Sequence, residues 1–207
     1  MTRNAISIYM AATCAIVVVA PGRLVCGIII AVELLLLMLF GLLFKSLLKK
    51  MNIERMEQPA MLCFVVFITI LCKQLIAVFM PEVALQLSFV LFLPSISTFT
   101  TVFLLEEKNM TLKESLSKNM PAALLFATYI FVISLIRDVV GFGTITLPAI
   151  GHQFELVLFS AERISSATFL ATIPGSLVMN ALFLSAFLFL ERKVNIIKIA
   201  ENCSQEN

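Results

Sequence analysis

The sequence predicts an all-α membrane protein with six transmembrane helices. Composition, run length and charge placement all point that way. Of 207 residues, 60% are hydrophobic and 14% charged, and the mean hydropathy is +1.04, well beyond a soluble domain. The apolar runs approach the roughly 20 residues needed to cross the hydrocarbon of a bilayer. Helix is the only state such runs can adopt, because lipid offers no partner to an open strand's backbone.

In order, the first expected span is Ala5–Ala20, ended by Pro21-Gly22 and carrying Thr13 and Cys14 in its middle. The second is Leu24–Phe44, bounded by Arg23 and Lys45, with Glu33 inside. The third is Ala60–Phe79, bracketed by Pro59 and Pro81, with Lys73 inside. The fourth is Val83–Leu105, and it is irregular. Its centre reads LFLPSISTFTT (91–101), and Pro94 there removes a backbone donor and predicts a break. The fifth is Pro121–Val140, ending in Arg137-Asp138, and the sixth is Thr168–Leu190. Between them, GFGTITLP (141–148) reads as a loop, and FELVLFSAERI (154–164) as a short amphipathic piece at the interface.

Charge sets the orientation. With the N-terminus inside, eleven Lys and Arg fall on the inner side and three (Arg23, Arg137, Arg163) on the outer. The positive-inside rule then places both termini in the cytoplasm. Spans one to three and four to six each open with an irregular, polar-centred helix. Three spans per half give opposite orientations, the arithmetic of an inverted repeat with halves 1–82 and 83–207 and broken helices one and four.

Few side chains offer chemistry. Glu33 lies about ten residues into its span, roughly 15 Å along the axis, and a mid-membrane carboxylate is a candidate proton or cation stop. The alternative is a structural pair with Lys73 on the next span, or with another subunit. Lys73, near the outer end, can also snorkel. Cys14 at mid-depth is either a metal ligand or a small buried residue. Arg137 and Asp138 read as interfacial anchors or a subunit contact. The five cysteines form no C-x-x-C pair, which argues against a disulfide framework. No phosphate loop, nucleophile triad or nucleic-acid signature appears.

Three stretches carry a family likeness: LSFVLFLPSISTFTTVFLLEE (87–107), FVISLIRDVVGFGTI (131–145) and TIPGSLVMNALFLSAFLFLERK (172–193). They resemble the Rnf/Nqr integral membrane subunits of ion-translocating electron-transport complexes, more closely the RnfE/NqrD type. The resemblance implies a bacterial cytoplasmic-membrane subunit coupling electron transfer to Na⁺ or H⁺ movement. Its partners would be a paired RnfA/NqrE-like subunit, the other Rnf/Nqr subunits and the bilayer, with no nucleic acid. It also implies a [2Fe–2S] cluster shared with the paired subunit, two cysteines coming from each. Cys14 stands at the first of these positions. Thr100 stands where the family has the second, so that ligand is missing. A stand-alone six-span transporter of small solutes or ions is the competing expectation, with Glu33 and the 95–101 hydroxyls binding cargo.

Overall fold

The computed structural model describes residues 16–51, 56–99, 112–149, 153–158 and 167–186, with 189 and 193. Helical residues 16–19 lead into a break at Ala20–Arg23. Then follow α1 (Leu24–Lys50), α2 (Glu57–Phe79), α3 (Pro81–Leu87), α4 (Phe92–Phe99) and α5 (Leu112–Phe142). A hairpin of β1 (Thr144–Pro148) and β2 (Gln153–Val157), a 3₁₀ turn (Ala167–Ala171) and α6 (Ile173–Ala186) complete the described chain.

Among the described residues, three helices are long and apolar enough to cross a membrane: α1, α2 and α5. Four are, if the bent pair α3–α4 is one span. The first expected span lies mostly outside the described residues. The sixth is represented by α6, whose described residues Ile173–Ala186 number fewer than a crossing needs. The all-α expectation is corrected by the hairpin, whose strands pair antiparallel with Thr144 opposite Val157 and Pro148 opposite Gln153.

The hairpin also corrects the reading of 141–148 as a loop and of 154–164 as an amphipathic segment. Gly141 and Phe142 finish α5. Gly143 then takes φ 67°, the left-handed conformation that closes a helix and that glycine adopts without strain. Its N–H returns to the Val139 carbonyl at 3.1 Å. Thr144–Pro148 is left extended, and Gln153–Val157 pairs with it. Residues 159–164 lie outside the described residues.

The predicted break in the fourth span is present but displaced. The chain bends by 55° between α3 and α4, at Ser88–Leu91 and not at Pro94. Pro94 is the third residue of α4, where a helix has no partner for the missing N–H in any case. The turn keeps its backbone satisfied: Phe92 N–H reaches Phe89 O at 3.1 Å and Leu93 N–H reaches Val90 O at 3.0 Å. Pro81 likewise opens α3, and Pro59 falls in the first turn of α2 instead of before it. Pro121 lies inside α5, which begins earlier than expected.

α1 and α5 are the central pair. On α1, Val32, Leu36, Phe40, Leu43 and Leu47 form one exposed apolar stripe, whereas Ile30, Leu34 and Leu37 are buried. The core continues into Met61 and Val65 of α2, Val83 and Leu87 of α3, and Ile130 and Ile133 of α5. α2 shows most of its surface, including Leu62, Phe67, Leu71 and Leu75, as a lipid-facing helix does. Phe44 and Phe64 stack with ring centroids 3.8 Å apart where α1 meets α2.

α1 and α5 approach most closely at Gly27. A Cβ there would lie 2.2 Å from the Ser134 hydroxyl oxygen, far inside van der Waals contact, so only glycine admits this approach. Small residues serve the same purpose throughout membrane helix interfaces. Gly27→Ala is expected to destabilise the fold by about 1–3 kcal/mol through overpacking. Ser134→Gly in the same chain is expected to recover most of that loss, as read by thermal unfolding of the purified protein in detergent.

Candidate functional site

Two buried polar centres stand out, and they differ in kind. The first is built on Arg137 and Asp138, near the C-terminus of α5. Both were expected at the membrane interface or a subunit contact. Instead they are 1% and 0% exposed. The Arg137 guanidinium donates to Val17 O (3.1 Å) and Ala20 O (2.9 Å), at the end of helical residues 16–19. It also donates to Ala171 O (2.9 Å), at the end of the 3₁₀ turn. These carbonyls end short helical segments, where unpaired acceptors gather and a cation is favoured.

Asp138 does the complementary work. Arg23, at the N-cap of α1, offers no side-chain cap. Asp138 Oδ2 accepts from the Leu24 N–H (3.2 Å), the Thr146 N–H (2.7 Å) and the Thr146 hydroxyl (2.7 Å). Oδ1 accepts from the Thr144 hydroxyl at 3.0 Å. Thr146 Oγ1 in turn accepts from the Val25 N–H at 3.3 Å. A carboxylate from α5 and a hydroxyl from β1 thus cap α1 from outside its own sequence. At the rim, Arg23 pairs with Glu155 of β2 and lies 5.5 Å from the Phe142 ring centroid. Ser176 of α6 donates weakly to Val17 O and Val18 O, both at 3.4 Å. Asn180 accepts from the Tyr129 hydroxyl at 2.8 Å.

The second centre is Glu33. It is 2% exposed, in the buried stripe of α1 with Ile30 and Leu37. Neither carboxylate oxygen has a hydrogen-bond partner among the described residues. The pair with Lys73 is not formed: Lys73 is half-buried on α2 and is not bonded to either Glu33 oxygen. Glu33 is nine residues beyond Leu24, and Thr69 is ten before Phe79 on the neighbouring helix. At about 1.5 Å per residue, each lies roughly 15 Å from the end of its helix, about half the thickness of a bilayer's hydrocarbon core.

Thr69 is fully buried. Its hydroxyl donates to Val65 O at 3.0 Å and shares a second hydrogen bond with Ser95 of α4. Ser95, Ser97 and Thr98 are all buried, so the hydroxyl-rich stretch faces the bundle as its composition predicts. α4 packs against both α1 and α2.

The iron–sulfur positions Cys14 and Thr100 lie outside the described residues. The described cysteines are dispersed: Cys26 is buried in α1, while Cys63 is exposed and Cys72 half-buried on α2. Cys26 Sγ is directed at Gln86 Oε1, 3.9 Å away. Among the described residues, no three His, Cys, Asp or Glu side chains converge as a metal would require.

Comparison of the chain with protein-family models, curated proteins and solved structures finds no match.

Truncating the Arg137–Asp138 centre should be costly, because each removal leaves buried groups unpaired. Asp138→Ala and Arg137→Met are each expected to lower stability by about 3–5 kcal/mol. Asp138→Asn, which keeps acceptor capacity on one oxygen, should lose less. Chemical denaturation of the purified protein, followed through helix content, checks the order.

Proposed function

We propose that the chain is an integral-membrane subunit of an Rnf/Nqr-like complex that couples electron transfer to H⁺ or Na⁺ movement, with Glu33 as its mid-membrane ion stop. One observation carries this reading: a carboxylate near the middle of a long apolar helix lies buried with no partner on either oxygen among the described residues. An isolated ionised carboxylate in such surroundings is strongly disfavoured. It becomes tolerable when the group holds a proton or meets a mobile cation. Intramembrane carboxylates with those properties mark ion pathways.

The packing supports the inverted repeat. α1 packs on α2, and α5 bonds α6 through Tyr129 and Asn180. α2 bonds α4 through Thr69 and Ser95, and α6 bonds the end of the first span through Ser176. α1 packs on α4, and α5 holds the end of the first span through Arg137. Exchanging spans one, two and three with four, five and six maps each contact onto its twin and the α1–α5 pair onto itself. That is the pattern of an inverted repeat with its site between the halves.

The resemblance adds a [2Fe–2S] cluster shared between Cys14 and a paired subunit. The ion reading of Glu33 does not depend on it. A stand-alone transporter is the second reading, favoured by the fact that Glu33 and the α4 hydroxyls are buried within one chain.

Glu33→Gln is expected to abolish ion uptake coupled to electron transfer in inverted membrane vesicles while the complex still assembles. Undiminished uptake would remove Glu33 from the pathway. Ion flux through the chain reconstituted alone would favour the stand-alone reading. The orientation has its own check: a reporter fused to the C-terminus is expected to be active only as a cytoplasmic fusion in a bacterial host.

A further inference from the structure

The β1–β2 hairpin has its polar face inward and its apolar face outward. Side chains alternate between the two faces of a strand, and residues opposite one another in an antiparallel pair share a face. Thr144 stands opposite Val157 and Thr146 opposite Glu155, whereas Ile145 stands opposite Leu156 and Leu147 opposite Phe154. The Leu158 N–H reaches Gly143 O at 2.8 Å and extends the ladder by one pair. One face therefore carries Thr144, Thr146 and Glu155, with Val157 at its edge. Both threonine hydroxyls donate to Asp138 and Glu155 pairs with Arg23, so this face is turned to the start of α1. The other face carries Ile145, Leu147, Phe154, Leu156 and Leu158. Ile145 is half-buried and the other four are exposed. A hairpin washed by water carries the reverse pattern.

Two observations say what covers the apolar face. α5 has 31 residues, about 45 Å at the usual rise, which matches a bilayer with its headgroup regions. A crossing helix of that length ends at headgroup level, and the hairpin begins there. The exposed residues Leu124, Phe131 and Phe142 of α5 are two and three turns apart and so form one apolar stripe. The stripe runs to the last residue of α5, and after Gly143 the hairpin follows. The backbone agrees with this level. On β1, the Thr146 N–H is taken by Asp138 and Pro148 has none, so little is offered to a further strand. On β2, the Leu158 N–H faces β1, so by alternation those of Glu155 and Val157 face away from it. Such an edge is excluded from hydrocarbon and is satisfied by water and headgroups.

We propose that the hairpin is a membrane-interface anchor. Its apolar face dips into the upper acyl chains of the leaflet at the C-terminal end of α5, while its polar face holds the start of α1. This placement needs only α5 to cross the bilayer and stands apart from the ion reading of Glu33.

The sequence has no tryptophan, so one introduced indole reports its own surroundings. Phe154→Trp, Leu156→Trp and, from the polar side, Val157→Trp are made singly in the full chain and checked for helix content. Each is reconstituted in phosphatidylcholine vesicles that are plain, brominated near the carbonyl end of the acyl chains, or brominated near the methyl end. Phe154→Trp and Leu156→Trp are expected to lose more than half their emission to bromine near the carbonyl end, less to bromine near the methyl end, and little to iodide in the buffer. Val157→Trp should lose less to either lipid and more to iodide. Stronger quenching near the methyl end would overturn the interfacial level. Quenching by iodide alone would put the face in water and overturn the anchor. Protection from both lipids and iodide would overturn it in favour of a protein cover, such as a second copy of the chain. Leu147→Trp reads the same face from β1 and serves where a β2 variant fails to fold.

Discussion

The fold turns on the pairing of Arg137 and Asp138 with the ends of other helices. Two adjacent residues of α5 take opposite tasks across the break at Ala20–Arg23. The guanidinium collects carbonyls from the segment that stops there, and the carboxylate collects the N–H groups of α1, which starts there. A chain that breaks between two buried helical segments exposes both kinds of backbone group at once. Buried there, each must find a partner within the protein. Cation and anion, side by side in sequence, match the two dipole ends they face. The third carbonyl, from Ala171, draws the start of α6 to the same point. Gly22 and Gly141 leave room for Ala171 there, since a Cβ on either would meet it within 3.0 Å.

Much of the architecture is legible in the residues, and the exceptions have physical causes. Apolar run length identifies the cores of α1, α2 and α5 but not their ends. α1 continues through Lys45, Lys49 and Lys50 because long basic side chains extend past the apolar boundary while the backbone stays helical. Proline misleads in the fourth span. It breaks a helix only in the interior, and the turn at Ser88–Leu91 converts Pro94 from an interior residue into a first-turn residue. The hairpin is hidden because GFGTITLP contains both its β-branched residues and the glycine that precedes them, and loop and strand share that signature.

The site was half visible. A carboxylate in an apolar run marks itself, so Glu33 could be found by reading alone. Its lack of a partner could not, since Lys73 on the next span was an equally reasonable neighbour. Thr69 gave no signal, being one threonine among apolar residues. Only the packing of α4 on α2 sets it against Ser95. Arg137 and Asp138 were visible and misplaced. At the end of an apolar run, charge ordinarily means water, and nothing local reveals that two other breaks in the chain will converge on it.

The contrast between the two centres bears on function. At comparable burial, Asp138 accepts four hydrogen bonds and Arg137 donates three. Glu33 makes none. The chain thus supplies buried charges with partners where the scaffold needs them, drawing on three separate stretches of sequence to do so. A fold that can do this for an aspartate at a helix junction could supply Glu33 with one donor from α2 or α4. Glu33 instead stays without one among the described residues. A purely structural glutamate gains nothing from that arrangement, because leucine of similar volume would pack there without desolvation. A glutamate left unpaired is suited to a ligand that comes and goes, and that is the physical ground on which an ion's resting place at Glu33 is proposed.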